Sequence, residues 1–95
     1  MVTENSVIIV NPEKVKLIRR SRLTPLTKRQ FAFYLRDSDL YSTVKALIDA
    51  DPDVALEYEV AYRIERSSPT VRLITARMGF TEEQIDDMWL EALQY

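Results

Sequence analysis

Residues 78–85, Met78-Gly79-Phe80-Thr81-Glu82-Glu83-Gln84-Ile85, hold the end of one helix and the start of the next. Gly79, the chain's single glycine, supplies the left-handed residue that closes a helix without a Cβ penalty. Thr81 and Gln84 then stand three apart as a capping box, each side chain placed to satisfy the other's backbone amide. Phe80 and Ile85 sit where a hydrophobic staple forms. Glu82 and Glu83 fall in the first turn, where negative charge complements the helix dipole. The helix that follows is expected to run to about Leu93. Its buried stripe is Ile85, Met88, Trp89, Ala92 and Leu93, with Glu82, Asp86, Asp87 and Glu91 left in water.

The same grammar recurs toward the N-terminus. Ser68-Pro69 reads as a cap followed by proline at the first helical position, opening a helix whose apolar face is Val71, Leu73, Ile74 and Met78. Asp51-Pro52 repeats the signal. In the segment it opens, Val54, Leu56, Tyr58, Val60, Tyr62 and Ile64 alternate as in a strand, while Leu56, Val60 and Ile64, with Tyr58 and Ala61, form a helical stripe. The cap, Ala55 and Ala61, and the lack of a flanking hairpin turn favour a helix to Arg66. Leu26-Thr27-Lys28-Arg29-Gln30-Phe31 is a second complete capping box with its staple. It predicts a helix from Lys28 to about Arg36 with Phe31, Tyr34 and Leu35 as its stripe. Asp37-Ser38-Asp39 breaks that helix, and Leu40, Val44, Leu47 and Ile48 give the next one its apolar face, making an αα-hairpin.

Residues 1–24 read as an arm. Ser6-Val7-Ile8-Ile9-Val10 is an uninterrupted β-branched run that suits a short strand. Asn11-Pro12 caps a short helix to about Arg20, although Val15 and Leu17 also alternate with charge and leave a second strand open. The expected architecture is therefore all-α: four to five short helices over residues 25–95, behind an extended arm that could hold a short strand.

Composition bounds the chemistry. Ninety-five residues with 46% hydrophobic and 29% charged side chains make one ordinary globular domain. Without cysteine or histidine, disulfides, Cys/His zinc sites, a histidine base and the serine triad are all excluded. One glycine cannot build a phosphate-cradling loop. No apolar run approaches the ~20 residues of a membrane span, and Met1–Ser6 lacks the features of a signal peptide, so neither membrane insertion nor export by that route is expected.

No constellation selects an enzyme. Asp49, Asp51 and Asp53 have calcium-loop spacing, but Val54 and Val60 stand where that loop needs glycine and glutamate; helix capping by Asp51 is the better reading. The acid pairs Glu57/Glu59 and Asp86/Asp87 do not face one another on a helix. Arg63 and Arg66 could hold phosphate, but pairing of Arg63 with Glu59 and solvation of Arg66 is simpler. Tyr41, Tyr58, Tyr62, Trp89 and Tyr95 could stack bases, yet on amphipathic helices such residues more often serve the core or a subunit contact. No catalytic residue, cofactor or metal ligand is assigned.

Charge is lopsided. Residues 1–48 hold nine Lys/Arg against four Asp/Glu, and 49–95 hold four against eleven. Lys14, Lys16, Arg19, Arg20, Arg22, Lys28, Arg29 and Arg36 form a stretch free of acids. Such a stretch seeks either phosphates or the acidic half of this or a neighbouring copy. The protein reading is preferred, because a basic stripe in a chain of net charge −2 is a weak nucleic-acid footprint.

From residue 25 onward the order of features resembles small proteins encoded by tailed bacteriophages and prophages among their tail and tail-fibre genes. The resemblance rests on Thr27-Lys-Arg-Gln-Phe31 with Leu35, Val44-Lys-Ala-Leu-Ile48, and Asp51 with Ala55. It continues through Glu57-Tyr-Glu-Val-Ala61 and Arg66-Ser-Ser-Pro69-Thr-Val71, and through Met78-Gly-Phe-Thr-Glu-Glu-Gln-Ile-Asp86 with Met88-Trp89 and Ala92. It departs at Asp37-Ser-Asp39, where similar proteins commonly place a small residue or glycine before leucine, and it does not cover residues 1–24. It implies a non-enzymatic tail-associated structural or assembly protein that acts through contacts with other tail proteins or with itself as a homo-oligomer. Its setting would be the host cytoplasm during assembly and, if it is retained, the virion. The residues expected to make those contacts are Val7, Ile8, Ile9 and Val10, by adding a strand to an exposed edge, and the basic Lys14, Lys16, Arg19, Arg20 and Arg22. A nucleic-acid-binding regulator using the basic 14–36 segment is the alternative, and an inhibitor presenting its acidic surface to a host enzyme is a third class.

Overall fold

The computed structural model describes residues 23–95. The arm strand expected at Val7, Ile8, Ile9 and Val10, the helix or strand of 11–20, and the candidate contacts Lys14, Lys16, Arg19, Arg20 and Arg22 lie outside the described residues. Within them the chain runs β1 (Leu26–Thr27), α1 (Lys28–Asp37), α2 (Tyr41–Asp49), α3 (Pro52–Val60), β2 (Arg63–Ile64), α4 (Pro69–Met78) and α5 (Glu82–Ala92). Helices α2, α3 and α4 pack against one another, and α1 joins that group to α5. The all-α reading holds, with one addition. β1 and β2 pair antiparallel, Leu26 opposite Ile64 and Thr27 opposite Arg63.

The helix starts form as their residues dictate. The Thr27 hydroxyl accepts from the Gln30 amide at 3.0 Å, and Gln30 Oε1 accepts from the Thr27 amide at 2.9 Å. Thr81 and Gln84 repeat both bonds at 3.1 and 2.8 Å. Asp51 caps α3 through the amides of Asp53 and Val54, and Ser68 caps α4 through Val71. Gly79 ends α4 in the left-handed region at φ 75°. The turn after α1 is a Schellman motif. The Leu40 amide donates to the Leu35 carbonyl at 2.8 Å and the Asp39 amide to Arg36 at 3.1 Å, which places Asp39 at φ 59°. Here the sequence departs from the tail-protein resemblance, and a left-handed residue is what glycine would serve best there.

The core joins Leu26, Phe31 and Leu35 to Val44, Ile48, Val54 and Ile64, and these to Val71, Ile74, Ile85, Trp89 and Ala92. The expected stripes of α1, α2, α4 and α5 supply nearly all of it. Trp89 also anchors the chain's approach to β1, its indole Nε1–H donating to the Thr24 carbonyl at 2.7 Å.

The segment after Asp51-Pro52 corrects the expectation. Its helix ends at Val60, not Arg66, with Ala61 already extended. Beyond it Ile64 and Arg66 are buried while Arg63 and Glu65 are exposed, the period-two signature of a strand. The missing hairpin turn was no argument against a strand, because the partner is Leu26–Thr27, far back in the chain. The buried face of α3 differs too. Val54 is buried and Ala55 and Tyr58 pack on the core, whereas Leu56 and Val60 are 60% and 69% exposed.

The two left-handed caps make opposite predictions. Asp39→Gly should stabilise the protein by about 0.5–1 kcal/mol by relieving the steric cost of a Cβ at positive φ. Gly79→Ala should cost about 1–2 kcal/mol from the same source, because an added Cβ there meets nothing within 4 Å. Urea unfolding followed by circular dichroism measures both.

Candidate functional site

Three surface features stand out once each side chain is placed. The first is a buried cation. In the turn that follows β2, closed by the Ser68 amide donating to the Glu65 carbonyl, Arg66 is only 5% exposed at the N-terminal end of α5. Its Nη2 donates to Glu82 Oε1 at 2.9 Å and to the Glu82 carbonyl at 3.1 Å, and its Nε donates to Asp86 Oδ1 at 3.0 Å. Nη2 also lies 2.8 Å from that Asp86 oxygen. The expectations that Arg66 is solvated and that Glu82 and Asp86 face only water are thereby corrected. The phosphate reading of Arg63 with Arg66 falls for the same reason, since Arg66 is buried and its Nε and Nη2 are already engaged by two acids. Arg63 does not pair with Glu59, because the helix that would have set them one turn apart has ended; its guanidinium lies over the Tyr62 ring, 5.2 Å from the centroid.

The second feature is the outer face of α1. Arg29, Phe33 and Arg36 follow at helical spacing, and both guanidinium groups lie over the Phe33 ring, at 4.7 and 4.5 Å from its centroid. Lys28 turns away from them, toward Tyr58 and the Glu59 carbonyl at 3.0 Å. Beside this face the C-terminus is tied down. The Tyr34 hydroxyl donates to Glu91 Oε1 at 2.6 Å and Tyr95 donates to Asp37 Oδ2 at 2.8 Å, the two rings meeting edge to face. Burial first, and then the hydrogen bond to Glu91, push the Tyr34 phenol up to about 12. The Tyr95 hydroxyl, followed by Arg36, holds the Asp37 carboxyl below its ordinary value.

The third feature was not foreseen. Leu56 and Val60 stand one turn apart on the outward side of α3, and Tyr62, just past the helix end, is 86% exposed. Asp53 and Glu59, each three residues from Leu56, flank this face, and among the described residues neither carboxylate has an ion-pair partner. The signal was present in the sequence: α3 carries apolar residues on two sides, and only one side can face the core. The aromatic residues form no shared stacking platform. Trp89 is in the core, Tyr58 packs on Phe31 with ring centroids 5.9 Å apart, and Tyr95 is held by Asp37.

Two depressions complete the surface. A cleft of about 280 Å³ between the α2–α3 turn and α4 is lined by Leu47, Ala50, Asp51, Pro52, Leu73 and Arg77. One acid and one base there select no ligand charge. A cavity of about 50 Å³ between α1, α4 and α5 has a wholly apolar lining and belongs to the core. Among the described residues no group of three acids converges as a metal site, and no helix is long and apolar enough to cross a membrane.

Removing Asp86 strips the buried guanidinium of one of its two acids. Asp86→Ala should cost roughly 2–3 kcal/mol, somewhat less than the ~3–5 kcal/mol of breaking a fully buried pair, because Asp86 is partly exposed and Glu82 remains, and Arg66→Met should cost less because it removes the buried charge itself; urea unfolding of the two variants checks the order. Burial of Tyr34 makes its contribution to stability sensitive to alkaline pH. Its folded pKa lies above the unfolded value, so its contribution is complete below pH 10.0 and is lost as pH rises through about 12. Tyrosinate absorbance should show a late-ionising tyrosine that Tyr34→Phe abolishes. The chain matches no family model, no curated protein and no solved structure.

Proposed function

We propose that this protein is a non-enzymatic structural or assembly protein of a tailed phage, associated with the tail or tail fibre and acting through protein–protein contacts. The observation that carries the contact reading is the outward apolar face of Leu56, Val60 and Tyr62. Large side chains so exposed on a small domain are surface that a partner would remove from water. The placement in a phage tail rests on the sequence resemblance of residues 25–95. Charge supports association as well. Residues 23–95 carry thirteen acids against eight bases, while residues 1–22 carry five bases against two acids, so one part of the chain attracts the other across or within copies. A small domain also gains disproportionately from burial at an interface. Other tail proteins and further copies of this chain are the proposed partners, in the host cytoplasm during assembly.

One observation favours a second reading. Arg29 and Arg36 stacked on Phe33 continue the basic run Lys14–Arg22, and together they offer cations and an aromatic to nucleic acid. In that reading Lys14, Lys16, Arg19, Arg20 and Arg22 contact phosphates.

Light scattering after size exclusion, at low and high salt, separates the two. On the assembly reading the intact chain forms a defined oligomer, and a chain lacking residues 1–10 loses it while keeping its helical circular dichroism. A monomer in both forms, with nucleic-acid binding that weakens linearly in log salt and vanishes on charge reversal at Arg19 and Arg20, establishes the alternative.

A further inference from the structure

The outward face of α3 is built to receive something, and the chain itself contains a segment of matching chemistry. Leu56 and Val60 form an apolar strip with the carboxylates of Asp53 and Glu59, unpaired among the described residues, beside it, and Tyr62 extends it toward β2. Residues 7–22 present the complement in order: the apolar Val7-Ile8-Ile9-Val10, then five cations and a single acid, Glu13. Resting on the assembly reading, we propose that residues 7–22 of a second copy of this chain dock on the α3 face. Val7–Val10 cover Leu56, Val60 and Tyr62, and Lys14 and Lys16 lie against Asp53 and Glu59.

Reach permits it. The chain's approach to β1 is fixed where Thr24 accepts from Trp89, and twelve residues lie between Val10 and Leu23. Fully extended they span roughly 45 Å, enough to cross to a neighbouring molecule. Area favours exchange over folding back. When two copies trade segments about a two-fold axis, each contact is made twice. A patch of this size can then approach the ~1,600 Å² typical of a stable interface, whereas the same segment on its own body buries the patch once and leaves the copies apart. Complementary charge favours the contact, since the segment's basic part is drawn to the acids flanking Leu56.

The absence of cysteine from the chain gives a clean test on the full-length protein. One preparation carries Ile8→Cys and a second carries Val60→Cys, and the two are mixed under mild oxidation. The expected result is a disulfide-linked dimer forming at least tenfold faster than when Ile8→Cys is mixed with Asp87→Cys, an exposed position on α5. Leu56→Glu with Val60→Glu, both surface changes that leave the core intact, should weaken self-association at least tenfold, and high salt should weaken it further. The proposal is overturned if cross-linking does not exceed the Asp87 control, if a chain carrying both Ile8→Cys and Val60→Cys closes only on itself, or if the glutamate pair leaves association unchanged. Light scattering keeps the two readings apart. An oligomer without the cross-link overturns this docking face and leaves the assembly reading standing, and a monomer without it overturns both.

Discussion

The pairing of Leu26–Thr27 with Arg63–Ile64 is the constraint on which the rest of the structure depends. It is only two residues long on each side, yet it commits the chain after Val60 to extended backbone and turns Ile64 inward, ahead of the turn that buries Arg66. Ile64 enters the core at 2% exposure. Arg66 would be an uncompensated buried charge if α5 did not bring Glu82 and Asp86 to it. The same pairing closes the ring of contacts from β1 through α1 to α5, with Trp89 binding the backbone at Thr24 on one side and Gln30 donating to the Leu93 carbonyl at 3.2 Å on the other.

This arrangement also explains which surface is left over. A helix continuing to Arg66 would have had a long stripe to bury. Cut short at Val60 and held by Val54 and Tyr58, α3 leaves Leu56 and Val60 outside. Burying Val54 and Tyr58 on the shared core of α2 and α4 satisfies the helix on that side, and burial of two opposite sides of so short a helix needs a second body. The apolar face is thus a consequence of how the domain is built, and its acidic flanks determine what kind of segment would cover it favourably.

Electrostatics divides the molecule into a satisfied interior and unsatisfied exterior faces. Arg66 is buried with its Nε and Nη2 held by two acids and a carbonyl, so it serves the fold. Arg29 and Arg36 share a phenyl ring, Arg36 also pairing with its neighbour Asp37, while the carboxylates of Asp53 and Glu59 have no ion-pair partner among the described residues. Exposed pairs of this kind add little to stability, but opposed fields on different faces steer and orient association. A small, acidic, largely helical body preceded by a basic and apolar segment carries complementary charge on different parts of one chain.

Four helix starts and one stop were legible in the sequence because capping is local: Thr27 with Gln30, Asp51 with Pro52, Ser68 with Pro69, and Thr81 with Gln84 each satisfy backbone groups within a few residues, and Gly79 needs no distant partner to adopt a left-handed turn. The stripes of α1, α2, α4 and α5 were legible for a related reason, since each has one apolar side. Residues 61–66 and the exposed face of α3 were not. Two periodicities competed there at equal strength, and the deciding partner, Leu26–Thr27, lies more than thirty residues away in the chain. Local hydrogen bonding determined where the capped helices start and where α4 stops; only tertiary pairing decided where α3 stops, which of its apolar sides is buried and whether Arg66 faces water, because these depend on the long-range contacts that let backbone and charged groups be satisfied together.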